Sequence, residues 1–417
     1  MLNWANQFNI FCLLDNSGYI HDVPAFDCIL AAGCNRSIQL QKGHSFTALK
    51  DFYDSKPGWL FGHFGYDLKN EVECLTSRYQ PMVDFGLGFF FEPAIIVRLQ
   101  KNELTITSEA EHPLQIWEAI QKMPAEISNN IPVEVKLQSC INETAYVEAV
   151  NALKDHIKRG DCYEINFCQQ YFAENAVIDP LYTYSKLLQH SPNPFAAFYK
   201  LNEKYCLCAS PERYLKKTGH TLLSQPIKGT SKRHVSNACQ DQLSLTTLQN
   251  SSKERSENVM VVDLVRNDLS RISKEGSVQV AELYGIYSFP QVHQMISSVK
   301  SELAEGLHWT DAIKATFPMG SMTGAPKKRV MELIDEYETA ARGLFSGSIG
   351  YITPQADFDF NVVIRSIFYN EIEQNLSYSV GSAVTFGSDA SDEYHETLLK
   401  AEAIMMVLGV EEGREKL

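Results

Sequence analysis

Strand-like and helix-like segments are mixed along this chain without regular alternation, and this irregular order constrains the fold more than any other feature. Residues 1 to about 122 consist of short apolar strands separated by turns. Helical signals come in later segments, which predict helices near 143–160, 252–270 and 392–408 and another after the turn at 320–327. Doubly wound parallel sheets need a helix between successive strands, so the pattern predicts an α+β fold instead.

A polar connection divides the chain into two regions. Residues 123–140 include P-A-E-I-S-N-N-I-P and interrupt the periodic pattern. We therefore predict an N-terminal, strand-rich region of the same α+β fold at 1–122. A larger region, which contains the candidate site residues, is predicted at 141–409.

The composition indicates an ordered protein without general affinity for nucleic acid. Of 417 residues, 44% are hydrophobic, and the formal net charge is −14, whereas nucleic-acid binding needs a basic surface. The most apolar run, 85–99, contains Glu92, Pro93 and Arg98, so it predicts buried strands and no membrane span. The ten cysteines lack metal-binding spacing and indicate reduced thiols in a cytoplasmic protein.

The most informative short segment is P-I-K-G-T at 226–230, which places Lys228 between an apolar residue and a glycine. Pro226 has a restricted φ, and Gly229 allows a ligand to approach the backbone closely. A desolvated lysine in such a turn has a lowered pKa and a free amine that can act as a nucleophile. The alternative is a solvated lysine at the tip of a turn.

Two predicted helices each carry a pair of glutamates three residues apart, Glu254 with Glu257 and Glu393 with Glu396. Each pair shares a helix face and could supply carboxylates to Mg²⁺, which takes one or two protein carboxylates together with substrate oxygens and water. The alternative is that both pairs are solvated helix faces, with Lys400 forming a surface ion pair with Glu396.

Three other charged residues lie in strand-like segments. Arg365 follows V-V-I in a predicted apolar strand, where a charge needs a partner such as a carboxylate. Glu212, in S-P-E-R, could act as an acid or could pair with Arg213 or Lys232. Glu164 lies on the polar face of a strand predicted at 160–170, which indicates either a lined cavity or an edge strand facing water.

Taken together, these segments resemble the chorismate-utilising enzymes, which include anthranilate, isochorismate and salicylate synthases. The resemblance is dense after Glu143 and thin before it. The matching motifs are G-D-C-Y-E-I-N at 160, S-P-E-R at 210, P-I-K-G-T at 226, S-E-N-V-M-V-V-D-L-V-R-N-D at 256, G-S-M-T-G-A-P-K-K at 320, S-G-S-I-G-Y at 346, I-R-S at 364 and D-E-Y-H-E-T-L-L-K at 392.

The resemblance implies a large mixed α/β sandwich, with mainly antiparallel sheets packed as a core and helices outside, and makes 141–409 the chorismate-binding catalytic domain. Lys228 resembles the lysine of the branch that forms 4-amino-4-deoxychorismate for p-aminobenzoate and folate synthesis. In that branch the lysine attacks C2 of chorismate while the C4 hydroxyl leaves, and ammonia then adds at C4 and expels the lysine. Glu212 would be the general acid and base for the C4 substituents.

The resemblance also implies where the substrate and cofactor bind. Mg²⁺ would be held by Glu257 and Glu396, with Glu254 and Glu393 as neighbours or water-mediated ligands, and would bind the ring carboxylate. The residues implied in substrate binding are Arg365, Lys400, Glu164 and the backbone around Gly229, Thr230 and Gly381.

The chain carries no fused amidotransferase motif, so the resemblance implies a separate glutamine amidotransferase subunit that supplies ammonia. Glu164 departs from the family pattern, because the members that add ammonia commonly have glutamine at this position.

Two alternative functions remain open: an anthranilate synthase component I, which releases pyruvate, and a catalytically reduced subunit that only binds chorismate.

Overall fold

The computed structural model describes residues 1–19, 26–124, 127, 135–289 and 292–410. The strands in these residues, in chain order, are β1 (Ile10–Asp15), β2 (Cys28–Ala32), β3 (Arg36–Gln39), β4 (Leu60–Phe64), β5 (Gly88–Glu92), β6 (Ile95–Gln100), β7 (Glu103–Ser108), β8 (Gln138–Ser139), β9 (Glu164–Ala173), β10 (Phe195–Leu201), β11 (Lys204–Ser210), β12 (Arg213–Thr218), β13 (Thr221–Gln225), β14 (Ile227–Lys232), β15 (Gln279–Ser288), β16 (Val292–Glu302), β17 (Gly324–Ala325), β18 (Ser348–Ile352), β19 (Phe358–Asn361), β20 (Ser366–Asn370) and β21 (Asn375–Thr385).

The helices are α1 (Leu2–Ala5), α2 (Ser45–Ser55), α3 (Lys69–Val72), α4 (Pro113–Lys122), α5 (Glu143–Arg159), α6 (Pro180–His190), α7 (Ala238–Asn250), α8 (Ser252–Ser270), α9 (Trp309–Thr316), α10 (Lys327–Tyr337) and α11 (Ala390–Val407). Short 3₁₀ turns lie at Tyr66–Leu68 and Gly320–Met322. No helix within the described residues is long and apolar enough to cross a membrane.

Two large sheets form the core. The first has 11 strands in the order β17-β9-β21-β20-β11-β10-β1-β2-β6-β7, with β8 added beside β9, and the second has 10 in the order β14-β16-β13-β12-β19-β18-β4-β5-β3, with β15 beside β16. Side chains from both sheets share one apolar cluster; for example, His63 Nδ1 lies 3.2 Å from the Tyr199 hydroxyl. Helices α4, α6 and α11 bury apolar side chains in a second cluster with the first sheet. This is the predicted antiparallel sandwich with outer helices.

The N-terminal region contributes strands to both sheets. Strand β1 pairs with β10, and β4 pairs with β18, so 1–122 and the later region share their sheets instead of each closing its own. Half of the predicted connection at 123–140, namely 125–126 and 128–134, lies outside the described residues.

The helices that carry or flank the site begin and end close to their predicted positions. Helix α5 is capped by Asn142, whose side chain accepts a hydrogen bond from the Ala145 amide, and is ended by Gly160 at φ +84°. Helix α8 has its predicted bounds, and α11 begins two residues before the predicted start, because Asp389 caps it.

Two local predictions are wrong. The P-I-K-G-T segment is not a turn but strand β14, which pairs with β16 and shifts register between Ile227 and Thr230. The extra residue forms a bulge at Lys228 and Gly229, and a bulge re-aims a side chain locally. Arg365 is not within a strand either; it lies between β19 and β20 with φ +52°.

Candidate active site

One cleft of about 790 Å³ brings together residues from both sheets and from α8 and α11. Most residues predicted for the site line it: Glu212, Lys228, Gly229, Thr230, Glu254, Glu257, Arg365, Gly381, Glu396 and Lys400. Glu164 and Glu393 lie behind the lining, where each contacts a lysine. Segments far apart in sequence therefore meet at one place, although their roles remain predictions.

Lys228 is paired with Glu164 at the inner wall of the cleft. Its Nζ lies 2.8 Å from Glu164 Oε1 on β9, and both side chains are largely buried. Burial lowers the pKa of Lys228, but the negative charges of Glu164 and Glu257 outweigh burial and raise the pKa above its ordinary value. The predicted lowering of this pKa is therefore wrong: a neighbouring carboxylate holds the amine as an ammonium ion.

Glu212 lies between β11 and β12 and is only 4% exposed. Burial raises the pKa of its carboxyl to about 7, opposed in part by the Ser321 hydroxyl and by the positive charge of Lys228. The alternative pairing with Arg213 is excluded, because that guanidinium binds Asp359 at 2.9 Å. Glu212 is thus a carboxyl that can carry a proton near neutral pH.

Arg365 presents a half-buried positive charge to the cleft. Among the described residues, the groups whose charges act on it are Glu212 and Tyr19, and neither forms a hydrogen bond or ion pair with its guanidinium. Loss of solvent around the guanidinium lowers its pKa to about 10, which the negative charge of Glu212 partly opposes. A guanidinium partly removed from water without a partner is costly, and its five donors match a carboxylate ligand.

The glutamate pairs of α8 and α11 face each other across one side of the cleft. Burial raises the pKa of Glu257 to about 7, whereas the ammonium of Lys400 lowers the pKa of Glu396. Glu257 Oε1 and Glu393 Oε2 are buried and have no hydrogen-bond partner among the described residues. Unsatisfied carboxylate oxygens of this kind fit a hard cation such as Mg²⁺.

The described residues do not form a closed metal cage, since no three acidic, histidine or cysteine side chains there have ligating geometry. Mg²⁺ commonly keeps waters and substrate oxygens among its ligands and needs few protein carboxylates. The carboxylates of Glu257 and Glu396, which line the cleft, are therefore suited to an open magnesium site.

Lys400 and Gly381 are fixed against each other. Lys400 Nζ donates to the Gly381 carbonyl at 3.0 Å and lies 2.6 Å from Glu396 Oε1. A Cβ at Gly381 would come within 2.4 Å of Cys168 Sγ on the neighbouring strand. The glycine is thus required by close strand packing, and its carbonyl orients the lysine at the cleft.

Gly229 needs to be glycine for two reasons. Its φ is +97°, and a Cβ there would lie 3.0 Å from Glu254 Oε2 and 3.2 Å from Leu248 Cδ1. Residues with a side chain rarely adopt this backbone conformation. In addition, a side chain at position 229 would press against α7, which carries Leu248, and α8, which carries Glu254.

We expect Gly229→Ala to lower the free energy of unfolding by about 1–3 kcal/mol and to reduce turnover, because the bulge that aims Lys228 would shift. Urea unfolding and steady-state kinetics measure both effects. The matched control is Gly219→Ala, since Gly219 also has positive φ (+57°) but no atom near its Cβ. Equal loss of stability in both variants, with normal turnover in Gly229→Ala, would contradict this assignment.

Sequence reasoning missed three residues of the site. Lys253 contacts glutamates of both helices, and its position four residues before Glu257 was the available signal. Ser321 faces Glu212 from the 3₁₀ turn. Arg342 donates to the carbonyls of Met322 and Asn166, an arrangement that no spacing in the sequence indicates.

The family comparison agrees with this geometry. The chorismate binding enzyme family matches residues 14–406, which is nearly the whole chain. The chain belongs to this family. The predicted family is therefore confirmed. Seven of the eight motifs that carried the resemblance contribute residues to the cleft, and S-G-S-I-G-Y at 346 does not.

Individual relatives are similar over most of the chain. Aminodeoxychorismate synthase component 1 from Escherichia coli (strain K12) is 34% identical over 356 residues, covering 84% of this chain and 77% of its own. An anthranilate synthase component I-like protein from Synechocystis sp. is 30% identical over 380 residues, covering 90% of this chain and 76% of its own. The crystal structure of anthranilate synthase component I from Streptococcus pneumoniae TIGR4 has a TM-score of 0.78 and 26% identity, with 94% of each chain covered. These similarities confirm the predicted fold class.

Proposed function

We propose that this protein is the component of an aminodeoxychorismate synthase that converts chorismate and ammonia to 4-amino-4-deoxychorismate. The observation that carries the proposal is a single cleft in which Lys228 and Glu212, a potential nucleophile and a potential proton donor, lie together with Arg365, whose guanidinium has no ion-pair partner among the described residues. The 34% identity to a protein named aminodeoxychorismate synthase component 1 supports the same reaction.

Substrate binding in this proposal uses the positive charge of the cleft. Chorismate carries two carboxylates, and a chain of net charge −14 must supply cations locally. Arg365 would hold the enolpyruvyl carboxylate, because its guanidinium lines the cleft and has the geometry to bind a planar anion. Lys400 and the backbone at Gly229 and Thr230 would complete the anion pocket.

The first chemical step requires a neutral amine at Lys228. Since Glu164 Oε1 lies 2.8 Å from Nζ, this carboxylate is the group placed to take the proton. The amine then forms a bond to C2 of chorismate, both ring double bonds shift by one position, and the C4 hydroxyl leaves as water with the proton of Glu212.

The second step regenerates both groups. Ammonia bonds to C4, both ring double bonds shift back, and Lys228 leaves C2 as a neutral amine. The new ammonium at C4 returns a proton to the Glu212 carboxylate, and Glu164 returns its proton to Lys228. The sum is chorismate plus ammonia giving 4-amino-4-deoxychorismate plus water.

Mg²⁺ belongs to the proposal as the cofactor held by Glu257 and Glu396, with Glu254 and Glu393 nearby. When bound there, the ion would hold the ring carboxylate of chorismate and offset its charge. The support is the chemistry of the donors: buried carboxylate oxygens of Glu257 and Glu393 without a hydrogen-bond partner among the described residues, and the more exposed carboxylate of Glu396 beside them at the cleft.

A glutamine amidotransferase subunit is the proposed source of ammonia, with free ammonium as a poorer substitute. The "component 1" in the name of the Escherichia coli relative supports a partner.

The proposed location of the protein is the cytoplasm. None of the ten cysteines forms a disulfide, which agrees with a reducing compartment.

The reaction is tested by incubating the protein with chorismate, Mg²⁺ and ammonium, with and without a lyase that converts 4-amino-4-deoxychorismate to p-aminobenzoate. We expect chorismate consumption without pyruvate, and p-aminobenzoate and pyruvate only after the lyase is added. Pyruvate without the lyase would indicate an anthranilate synthase instead. No consumption, even with an amidotransferase partner, would indicate a subunit that only binds chorismate.

Arg365→Met is expected to raise the KM for chorismate about a hundredfold, because charge-assisted hydrogen bonds to the carboxylate are lost. The same variant should unfold at the same or a higher temperature, since it removes a half-buried charge that has no ion-pair partner among the described residues. Arg266→Met is the control, because Arg266 pairs only with the exposed Asp263. A large fall in thermal stability with unchanged KM would show a structural role for Arg365.

A further inference from the structure

Lys253 lies where the two glutamate-bearing helices meet. From the first turn of α8, its Nζ donates to Glu393 Oε1 on α11 at 3.3 Å and lies 3.9 Å from Glu257 Oε1 on its own helix. One ammonium group therefore bridges carboxylates of both helices, at the side of the cleft proposed for the metal.

The three side chains differ strongly in their exposure to solvent. The side chain of Lys253 is 48% exposed, whereas those of Glu257 and Glu393 are 9% and 1% exposed. Buried carboxylates that face one another repel unless a cation lies between them. In a metal-free protein, Lys253 is the cation in contact with both.

We propose that Lys253 is the resident counter-cation of the metal site: its ammonium neutralises Glu257 and Glu393 when no divalent ion is bound, and it moves into solvent when the ion binds. This inference rests on the proposed magnesium site. It gives Lys253 a positioning role, because the lysine holds two metal-site glutamates in place without contacting the substrate.

Lys400 and Lys253 both contact the glutamates, but they differ in how easily their ammonium groups can move away from the carboxylates. Lys400 is held by the Gly381 carbonyl as well as by Glu396. Among the described residues, Lys253 has no such backbone anchor; its contacts there are the two glutamates, and half of its side chain is already in solvent. A lysine on a flexible stem can swing outward at little cost, whereas a divalent ion and an ammonium at the same oxygens repel each other.

The consequence is competition between Lys253 and the metal. Lys253 should stabilise the metal-free protein and weaken Mg²⁺ binding. The substitution Lys253→Met keeps the length of the side chain and removes its charge. We expect it to tighten Mg²⁺ binding about tenfold, a size that allows for the solvent screening of a half-exposed charge.

The test is isothermal titration of the whole protein with MgCl₂ in the absence of chorismate, together with thermal unfolding in EDTA and in MgCl₂. Lys253→Met should bind Mg²⁺ more tightly than the wild type and unfold at a lower temperature in EDTA, and the difference in unfolding temperature should close when Mg²⁺ is added. Lys253→Arg retains the charge and should bind Mg²⁺ like the wild type.

Lys274→Met is the matched control, since Lys274 lies just beyond the other end of α8 and pairs with the exposed Glu302. Unchanged or weaker Mg²⁺ binding in Lys253→Met, beside normal binding by the wild type, would overturn the assignment of Lys253 alone. Absence of Mg²⁺ binding in wild type and variant alike would overturn the metal site and this inference together.

Discussion

Lys228→Ala is expected to lower the rate of chorismate amination by at least about a thousandfold, because the variant has no nucleophile for the covalent route. Chorismate should still bind, since Arg365 and the glutamate side of the cleft are unchanged. The rate is measured by chorismate consumption with ammonium, and binding is measured by titration calorimetry.

The control for this variant is Lys158→Ala. Lys158 lies on α5 and pairs only with the exposed Asp155, so turnover should remain at the wild-type level. Normal turnover in Lys228→Ala would show that ammonia reacts with chorismate directly. Loss of both turnover and chorismate binding would mean that Lys228 acts in binding and not as a nucleophile.

Glu212→Gln is expected to lower turnover by about 10²–10⁴-fold, the range typical of a lost general acid or base. The amide preserves the size of the side chain but cannot carry the transferable proton to the leaving hydroxyl. Chorismate affinity should change little, because Glu212 is given no part in holding the carboxylates. A variant that keeps its turnover but loses affinity would contradict the acid assignment.

The pH dependence of kcat/KM provides an independent check on Glu212. Burial raises the pKa of this carboxyl to about 7, and the acid is active only while protonated. Activity should therefore be retained below pH 7 and fall as the pH rises through that value. The decrease of kcat/KM above pH 7 should be absent from the pH profile of Glu212→Gln. If the decrease persists in this variant, another group causes it.

Much of the architecture could be predicted from local patterns. Capping residues and apolar periodicity defined α5, because Asn142 and Gly160 act through neighbouring backbone groups. The glutamate spacing on α8 and α11 likewise placed Glu254 with Glu257 and Glu393 with Glu396, since helix geometry fixes which residues share a face.

The remaining features depend on contacts between distant segments. The pKa of Lys228 follows from its distance to Glu164, sixty-four positions earlier in the chain, so local composition predicted the wrong direction. The bulge at Gly229 follows from the pairing of β14 with β16. Arg365 was assigned to a strand because its neighbours are apolar, although its positive φ places it between strands.

The most direct test of the account is the mass of the intact protein after incubation with chorismate and Mg²⁺ in the absence of ammonia. Without ammonia nothing adds at C4 to expel Lys228 from C2, so the account predicts a species heavier by one chorismate less one water. Proteolysis and fragmentation should place the added mass on Lys228, and Lys228→Ala should show none. An unmodified mass while ammonium still supports turnover, or an adduct on another residue, would contradict the central claim.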